Sequence, residues 1–275
     1  MKYGVAVRNM GPQSSRNSIR ACAKAAEDAG FDALFVSDHL CIPPDQTEGS
    51  GGRYLDVLAT LAFLAGTTFR IRLGLSVLVL PYRPAVLTAK QIATIQELSG
   101  ERMIVGVGVG WMKPEFDALG VDFRRRGRLT TETLQVIRQC FDSPEPRAFT
   151  GELVQFPPFV FEPHPRRPPI WVGGNGPHAI KRALDFGDGW HPMLKASELG
   201  AEVARVQAEA SARGRAPLEI VVRRGLRLGD PEAAKSRVEQ EAQAGATYFI
   251  LDLGRYADQK EFEDSIAKFV LKVMV

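Results

Sequence analysis

Two histidines stand where short apolar runs of the sequence end. His39 follows the run Ala33–Ser37 directly after Asp38, and His191 ends a later run. A histidine can act as a general acid or base near neutral pH, because its ordinary pKa is about 6.5. We therefore take His39 as the candidate catalytic residue and expect Asp38 to orient its neighbours. His191 is a candidate substrate contact. The alternatives are a polar strand end for His39 and a pocket wall or exposed tip for His191.

A glycine loop predicts an anion site. The segment Val172–Pro177 reads as the end of a strand, three glycines around an asparagine, and the start of a helix. Free backbone N–H groups at a helix N-terminus bind phosphate or carboxylate, and glycine lets a ligand approach the backbone closely. Gly173, Gly174 and Asn175 are therefore candidate cofactor-binding residues. Turn glycines that bind no ligand are the alternative.

Small residues also fill the run Gly106–Trp111. This run is not the GxGxxG fingerprint of dinucleotide-binding domains, because Trp111 stands where the third glycine would be. In a barrel, the small residues would leave flat space against which a ring could lie. Gly108, Gly110 and Trp111 are therefore candidate cofactor contacts, with tight packing between strands as the alternative.

Composition excludes several other classes of protein. The chain has 275 residues, of which 45% are hydrophobic and 24% charged, and a net charge of +3, which gives no sign of a nucleic-acid surface. Cys22, Cys41 and Cys140 form no CxxC pair and predict neither a disulfide framework nor a metal site. The N-terminus lacks the apolar core of a signal peptide, and no apolar stretch is long enough to span a bilayer. We expect a cytoplasmic protein without a nucleic-acid or membrane partner.

Apolar runs and helical patterns alternate from one end of the chain to the other. The strand-like runs are continuous, as in parallel strands that helices cover. They comprise Tyr3–Arg8, Ala33–Ser37, Ile71–Leu80, Met103–Val109, Ile170–Val172, Gly189–His191, Leu218–Arg223 and Tyr248–Leu253. The helical patterns comprise Ser18–Ala29, Leu55–Thr67, Ala85–Leu98, Thr130–Phe141, His178–Asp185, Glu198–Ala212, Glu232–Ala244 and Asp258–Lys272.

Eight such strand–helix units predict a single (β/α)8 TIM barrel domain over residues 1–275. An open, doubly wound sheet is the alternative. The proline-rich segment Ser143–Pro169 predicts an excursion or a lid before the fifth barrel strand. A barrel keeps its active site at the C-terminal ends of its strands. Asn9, Ser76 and Val77 stand at such ends and are candidate cofactor contacts, and Arg223 is a second candidate substrate contact.

Taken together, these residues resemble the luciferase-like family of flavin- and deazaflavin-dependent oxidoreductases. The resemblance covers nearly the whole chain and is strongest to the subgroup of F420-dependent oxidoreductases. It is carried by Gly30–His39, Leu73–Arg83, Leu98–Arg102, Gly106–Trp111 with Glu115 and Phe116, Pro169–Gly174 and Asp188–Trp190. The family implies a (β/α)8 barrel, commonly a homodimer, that holds FMN or coenzyme F420 at its mouth.

The resemblance also implies roles for single positions. His39 would lie near the reactive carbon of the cofactor ring, and a non-proline cis peptide bond between Ser76 and Val77 would lie behind that ring. The remaining cofactor contacts would be the polar pair Asn9 and Asp38, the wall of Gly108, Gly110 and Trp111, and the phosphate loop of Gly173, Gly174 and Asn175. The family often has serine where Asn175 stands. Trp111 replaces the acidic residue of family members that act on sugar phosphates, so such a substrate is not expected.

We therefore expect hydride transfer between F420 and a small organic substrate, with His39 as proton donor or acceptor. The alternative is an FMN-dependent monooxygenase that uses O2 and receives reduced flavin from a separate reductase. The basic segment Arg124–Arg128 favours F420, because the anionic tail of that cofactor would profit from a basic rim; a solvated helix start is the other explanation. A non-catalytic cofactor-binding protein and an unrelated phosphate-binding barrel isomerase are further alternatives.

Overall fold

Eight parallel strands close into a barrel in the computed structural model, which describes residues 1–274. The barrel strands are β1 (Lys2–Ala6), β2 (Ala33–Val36), β3 (Arg72–Val79), β4 (Met103–Gly108), β7 (Ile170–Gly173), β8 (Gly189–His191), β9 (Glu219–Gly225) and β10 (Tyr248–Asp252). A separate antiparallel pair consists of β5 (Phe149–Thr150) and β6 (Gln155–Phe156). Strand β1 pairs with both β2 and β10, which closes the barrel.

Helices cover the outside of this barrel. They are α1 (Arg16–Asp28), α2 (Val57–Ala65), α3 (Ala85–Leu98), α4 (Lys113–Ala118), α5 (Arg126–Asp142), α6 (Pro177–Phe186), α7 (Ala196–Ala212), α8 (Pro231–Gln243) and α9 (Gln259–Lys272). The predicted (β/α)8 barrel is therefore confirmed. The sequence patterns missed the short helix α4 and the β5–β6 hairpin. Within residues 1–274, no helix has both the length and the apolar character needed to cross a membrane.

Aromatic side chains fill the inside of the barrel. Phe35 stacks on Trp171 at 5.6 Å between ring centroids, and Tyr248 lies edge-on to Trp171 at 4.8 Å. Glycines on the neighbouring strands make room for them, since a Cβ atom on Gly74 would lie 2.2 Å from the Phe35 ring. This filled interior leaves the C-terminal end of the barrel as the place for a cavity.

A bulge in β3 shapes that end of the barrel. The pairing of β3 with β4 moves from Leu75 opposite Val105 to Leu78 opposite Val107, so β3 contains one extra residue there. The Ser76–Val77 peptide bond in the bulge is cis, as the resemblance implied. A Cβ atom on Gly108 would lie 2.7 Å from Cγ2 of Val77.

The glycines of β4 make close contacts with β3. A Cβ atom on Gly106 would lie 2.0 Å from the carbonyl oxygen of Leu75, and Val77 occupies the room beside Gly108. Tight strand packing thus accounts for Gly106, whereas Gly108 remains a candidate cofactor contact beside Val77. A ring in the barrel mouth would meet the side chain of Val77.

The proline-rich segment Ser143–Pro169 is an excursion along the outer helices. Glu132 on α5 accepts hydrogen bonds from the backbone N–H groups of residues 152–154 at the hairpin turn. Phe161 packs edge-on to Phe141, and Gln96 on α3 donates to the Arg166 carbonyl. Because the segment packs against α3 and α5, it forms the excursion that the sequence predicted as one of two alternatives.

We expect Gly106→Ala to destabilise the protein by about 3 kcal/mol, because the new methyl group would overlap the Leu75 carbonyl and force the two strands apart. The matched control is Gly229→Ala, where a Cβ atom would meet nothing within 4 Å. The control should change the free energy of unfolding by less than about 0.5 kcal/mol. Urea unfolding measures both values. Equal values for the two variants would contradict the packing role of Gly106.

Candidate active site

A cavity of about 500 Å³ opens at the barrel mouth, where β3, β4 and β7–β10 end. This is a suitable volume for a small organic ligand. Its lining comprises Ser76, Val77, Gly108, Val109, Gly110, Trp111, Gly173, Gly174, His191, Pro192, Met193, Arg223 and Asp252. Nine of the residues named from the sequence belong to this lining: Ser76, Val77, Gly108, Gly110, Trp111, Gly173, Gly174, His191 and Arg223. His39, Asp38, Asn9 and Asn175 do not.

Polar groups cluster on one side of the cavity. The Arg223 guanidinium pairs with Asp252 at 2.9 Å and donates 2.9 Å hydrogen bonds to the Ser37 hydroxyl and the Ser76 carbonyl. Burial would raise the pKa of Asp252, but Arg223 and the Gly254 N–H lower it below the ordinary value. The arginine charge is therefore balanced, and its side chain is held by three strands at once.

His191 is a neutral residue of this cluster. Its Nδ1 lies 3.0 Å from the Val221 carbonyl and its Nε2 lies 3.0 Å from the Ser76 hydroxyl. Burial, together with the nearby Arg223 charge, lowers the pKa of His191 to about 4. Because a carbonyl can only accept, the ring proton is on Nδ1. Nε2 therefore accepts the Ser76 hydroxyl proton, which fixes the direction of that hydroxyl.

His39 lies beside the cavity, on the loop after β2. Its ring is edge-on to Tyr54 at 5.0 Å and to Trp111 at 6.1 Å between centroids. Nδ1 of His39 is 2.8 Å from a carboxylate oxygen of Glu115 on α4. The side chain is 19% exposed, and its second ring nitrogen, Nε2, is on the side of the ring that faces away from Glu115.

Glu115 is a residue of the site that the sequence analysis named only as part of the family resemblance and gave no role. Its side chain is fully buried, and it accepts hydrogen bonds from His39, from the backbone N–H groups of Leu40 and Cys41, and from the Tyr82 hydroxyl. Burial would raise its pKa, but these donors lower it below the ordinary value. The available signal was an acidic residue that directly follows Pro114 after a strand end.

Asp38 and Asn9 support the loops of the mouth. The buried Asp38 carboxylate pairs with Arg83 and accepts from the Val79 N–H, and Arg83 also pairs with Asp56 at the start of α2. The Asn9 amide bonds to the Ser37 backbone N–H and carbonyl and to the Leu55 carbonyl. Neither side chain lines the cavity. The polar atoms of Asp38 bond to Arg83 and the Val79 N–H, and those of Asn9 bond to backbone groups.

The predicted phosphate loop borders the cavity on its other side. Gly174 has a φ of +119°. Its N–H donates to the His191 carbonyl, and its carbonyl accepts from the Trp190 indole N–H, so both bonds join the loop to β8. Asn175 is exposed, and its side-chain oxygen accepts from the Met193 N–H at 2.7 Å. Helix α6 begins beside this loop without a side-chain cap. Its first residue, Pro177, has no N–H, and the Ala179 and Ile180 N–H groups donate to the Gly176 carbonyl, so the first turn leaves the His178 N–H for an anion.

The basic segment Arg124–Arg128 is more neutral than its sequence indicated. Glu152 pairs with both Arg125 and Arg128, and Arg126 lies over the Phe123 ring at 3.8 Å. A groove of about 570 Å³ runs between α5 and α6, next to the phosphate loop. Its lining includes the basic residues Arg128, Lys181 and Arg182 together with His178 and Asp185. Glu152 pairs with Arg128 and Asp185 pairs with Lys181, so the charge of this groove is also partly balanced.

Known proteins are similar to this chain along most of its length. The family model described as luciferase-like monooxygenase matches residues 1–269. An uncharacterized protein of Mycobacterium tuberculosis is 32% identical over 215 residues, which cover 73% of this chain and 74% of that protein. The 5,10-methylenetetrahydromethanopterin reductase of Methanolobus tindarius is 31% identical over 220 residues, which cover 78% of this chain and 62% of the reductase.

Solved structures share the fold at low identity. The monooxygenase RslO1 from Streptomyces bottropensis has a TM-score of 0.86 and 17% identity, over 100% of this chain and 99% of its own. An F420-dependent secondary alcohol dehydrogenase in complex with an F420-acetone adduct has a TM-score of 0.85 and 17% identity, over 99% of this chain and 98% of its own. At these identities the likeness concerns the fold alone.

The low pKa of His191 predicts a pH-dependent stability. An unfolded histidine takes up a proton near pH 6.5, whereas folded His191 does so only near pH 4, so the unfolded state binds more protons between these values. The stabilisation from neutral His191 is therefore complete above pH 6.5 and is lost as the pH falls to 4. We expect the protein to lose about 2 kcal/mol through this residue between pH 7 and pH 5.

Urea unfolding of the native protein and of His191→Gln at both pH values measures this contribution. The variant should lose about 2 kcal/mol less than the native protein over that interval. Parallel pH dependences in the two proteins would contradict a neutral, buried His191.

Proposed function

The chain belongs to the luciferase-like monooxygenase family, and we propose that it is an oxidoreductase that transfers a hydride between coenzyme F420 and a small organic substrate, with His39 exchanging the proton. The observation that carries this proposal is the shape of the mouth cavity. It has an apolar side chain, Val77, on one wall and the uncapped start of α6 beyond the other. These two features suit a flat ring that is joined to a phosphate.

The residues of the cavity fit such a cofactor. Val77 would contact the ring, and Ser76 and Arg223 present polar groups to its edge. The backbone at Gly173 and Gly174 leads from the cavity to the first turn of α6, which would hold the phosphate. When bound, a deazaflavin supplies a carbon that accepts or donates a hydride.

The chain itself would supply positioning and proton transfer. His39 is held by Glu115 on one side, so its Nε2 is the ring atom left to exchange a proton with the substrate. Tyr54 and Trp111 contact the His39 ring and reduce its contact with water. Trp111 and Met193 are 68% and 82% exposed at the cavity, and they would pack against an apolar part of the substrate.

The α5–α6 groove supports F420 over FMN. F420 carries an anionic tail beyond its phosphate, and Arg128, His178, Lys181 and Arg182 lie where such a tail would continue from the start of α6. An F420-dependent enzyme among the structural neighbours agrees with this choice.

The second candidate is an FMN-dependent monooxygenase that receives reduced flavin from a separate reductase. A monooxygenase among the structural neighbours supports it, and the same cavity would hold either ring.

Titration of the purified chain with F420 and with FMN tests the choice of cofactor. We expect F420 to bind at least tenfold more tightly than FMN, a difference of about 1.4 kcal/mol. The double variant Arg128→Gln, Lys181→Gln should weaken F420 binding and leave FMN binding unchanged, because only F420 reaches the groove. Arg227→Gln, an exposed arginine outside this groove, is the control. Tighter FMN binding would favour the monooxygenase, and binding of neither would overturn both candidates.

His39→Ala tests the proton role. We expect turnover to fall by roughly 100-fold or more, because a general acid or base contributes about that much. Cofactor affinity should stay within about tenfold, since His39 does not line the cavity. Cofactor absorbance follows turnover with any substrate found by screening, and fluorescence follows binding. Full turnover in the variant would remove His39 from the mechanism.

A further inference from the structure

Each of the two carboxylate oxygens of Glu115 accepts two hydrogen bonds. Oε1 accepts from the backbone N–H groups of Leu40, at 2.5 Å, and Cys41, at 3.1 Å. Oε2 accepts from the Tyr82 hydroxyl and from Nδ1 of His39, each at 2.8 Å. No arginine or lysine pairs with this carboxylate within residues 1–274. A fully buried carboxylate with these partners is an acceptor at every bond it makes.

Because Nδ1 of His39 faces a hydrogen-bond acceptor, the position of the proton on neutral His39 is determined. A neutral imidazole carries one N–H and one unprotonated nitrogen, and the carboxylate requires the N–H on Nδ1. Nε2 is then the unprotonated nitrogen, on the side of the ring away from Glu115. From this geometry we propose that Glu115 is a positioning residue that fixes the tautomer of His39, so that neutral His39 always presents Nε2 as a proton acceptor.

This assignment deepens the proposed function, on which its catalytic meaning rests. With the tautomer fixed, neutral His39 can take a proton at Nε2 without first moving its own proton or turning its ring. Protonated His39 can return a proton from the same atom, and Glu115 then faces a full positive charge. The tautomer itself is a property of the folded chain and does not depend on any cofactor.

Glu115→Gln should reverse the tautomer of His39, because neighbouring backbone N–H groups determine how the new amide is oriented. The amide oxygen must take the place of Oε1, because Leu40 and Cys41 both direct N–H groups at it. The amide N–H2 group then takes the place of Oε2 and donates to Nδ1 of His39. Neutral His39 must therefore move its proton to Nε2, and it can no longer accept one there. The change in size is negligible.

Tyr82→Phe is the matched control. It removes another donor to Oε2 and disturbs the same buried cluster, but it leaves the carboxylate as the acceptor for Nδ1. The tautomer of His39 should stay as in the native protein. A general loosening of the site would affect both variants, whereas loss of the tautomer would affect Glu115→Gln alone.

Nitrogen NMR of chains labelled at histidine distinguishes the two tautomers directly. The spectrum is recorded above pH 8, and the four histidines are assigned with single His→Gln variants. We expect Nδ1–H for His39 in the native protein and in Tyr82→Phe, and Nε2–H in Glu115→Gln. His191, which donates from Nδ1 to the Val221 carbonyl, provides an internal reference for the Nδ1–H signal.

Two results would overturn the proposal: Nε2–H for His39 in the native protein, or an unchanged tautomer in folded Glu115→Gln. If Glu115→Gln does not fold, the tautomer of His39 in the native spectrum tests the proposal by itself. If the proposed oxidoreductase activity fails instead, the NMR result stands unaffected. Where turnover is measurable, Glu115→Gln should lower kcat at least 100-fold with little change in KM, and Tyr82→Phe should keep kcat within about tenfold.

Discussion

The contact between Val77 and the glycine face of β4 is the constraint on which the barrel mouth depends. The extra residue in β3 turns Val77 toward β4, where glycine at position 108 leaves room for it, and glycine at position 106 leaves room for the Leu75 carbonyl. One consequence is an apolar wall inside a mouth whose other side is polar. Another is that β4 and the segment after it are held at a fixed place against β3. The cavity and the residues around it are built on this junction.

The segment after β4 connects this junction with His39. Trp111 contacts the edge of the His39 ring, and Glu115 binds its Nδ1 and the backbone that follows it. Arg83, which follows β3, joins Asp38 to the start of α2. Three neighbouring strand ends are thus tied together by buried ion pairs and hydrogen bonds. His39 is held from several elements, and its Nε2 is on the side of the ring away from Glu115.

The sequence predicted the barrel well because the barrel strands are apolar runs and a helical pattern lies between one run and the next. The bounds of Ala85–Leu98 and Gly189–His191 agree with the structure at both ends. Helix α4 was missed because its six residues are too few for a helical pattern, and the role of Glu115 was missed with it.

The exact placement of other site residues could not be predicted from the sequence, for one physical reason. Burial and hydrogen bonding across strands decide which side chains face the cavity, and neither is visible in local sequence. Asp38 and Asn9 were expected at the ring, but Arg83 and backbone groups use their polar atoms. The β4 glycines were expected to leave open space, and Val77 occupies part of that space. The polar cluster of Ser76, His191 and Arg223 joins strands that are far apart in the chain.

A crystal structure of the chain with bound F420 would show where the cofactor ring lies. We expect the ring to pack against Val77 in the mouth cavity, with its phosphate at the start of α6. Nε2 of His39 should lie within roughly 4 Å of the ring or of the substrate space beside it. A ring bound elsewhere, or one that leaves Nε2 turned toward bulk solvent, would contradict both the cavity assignment and the role of His39.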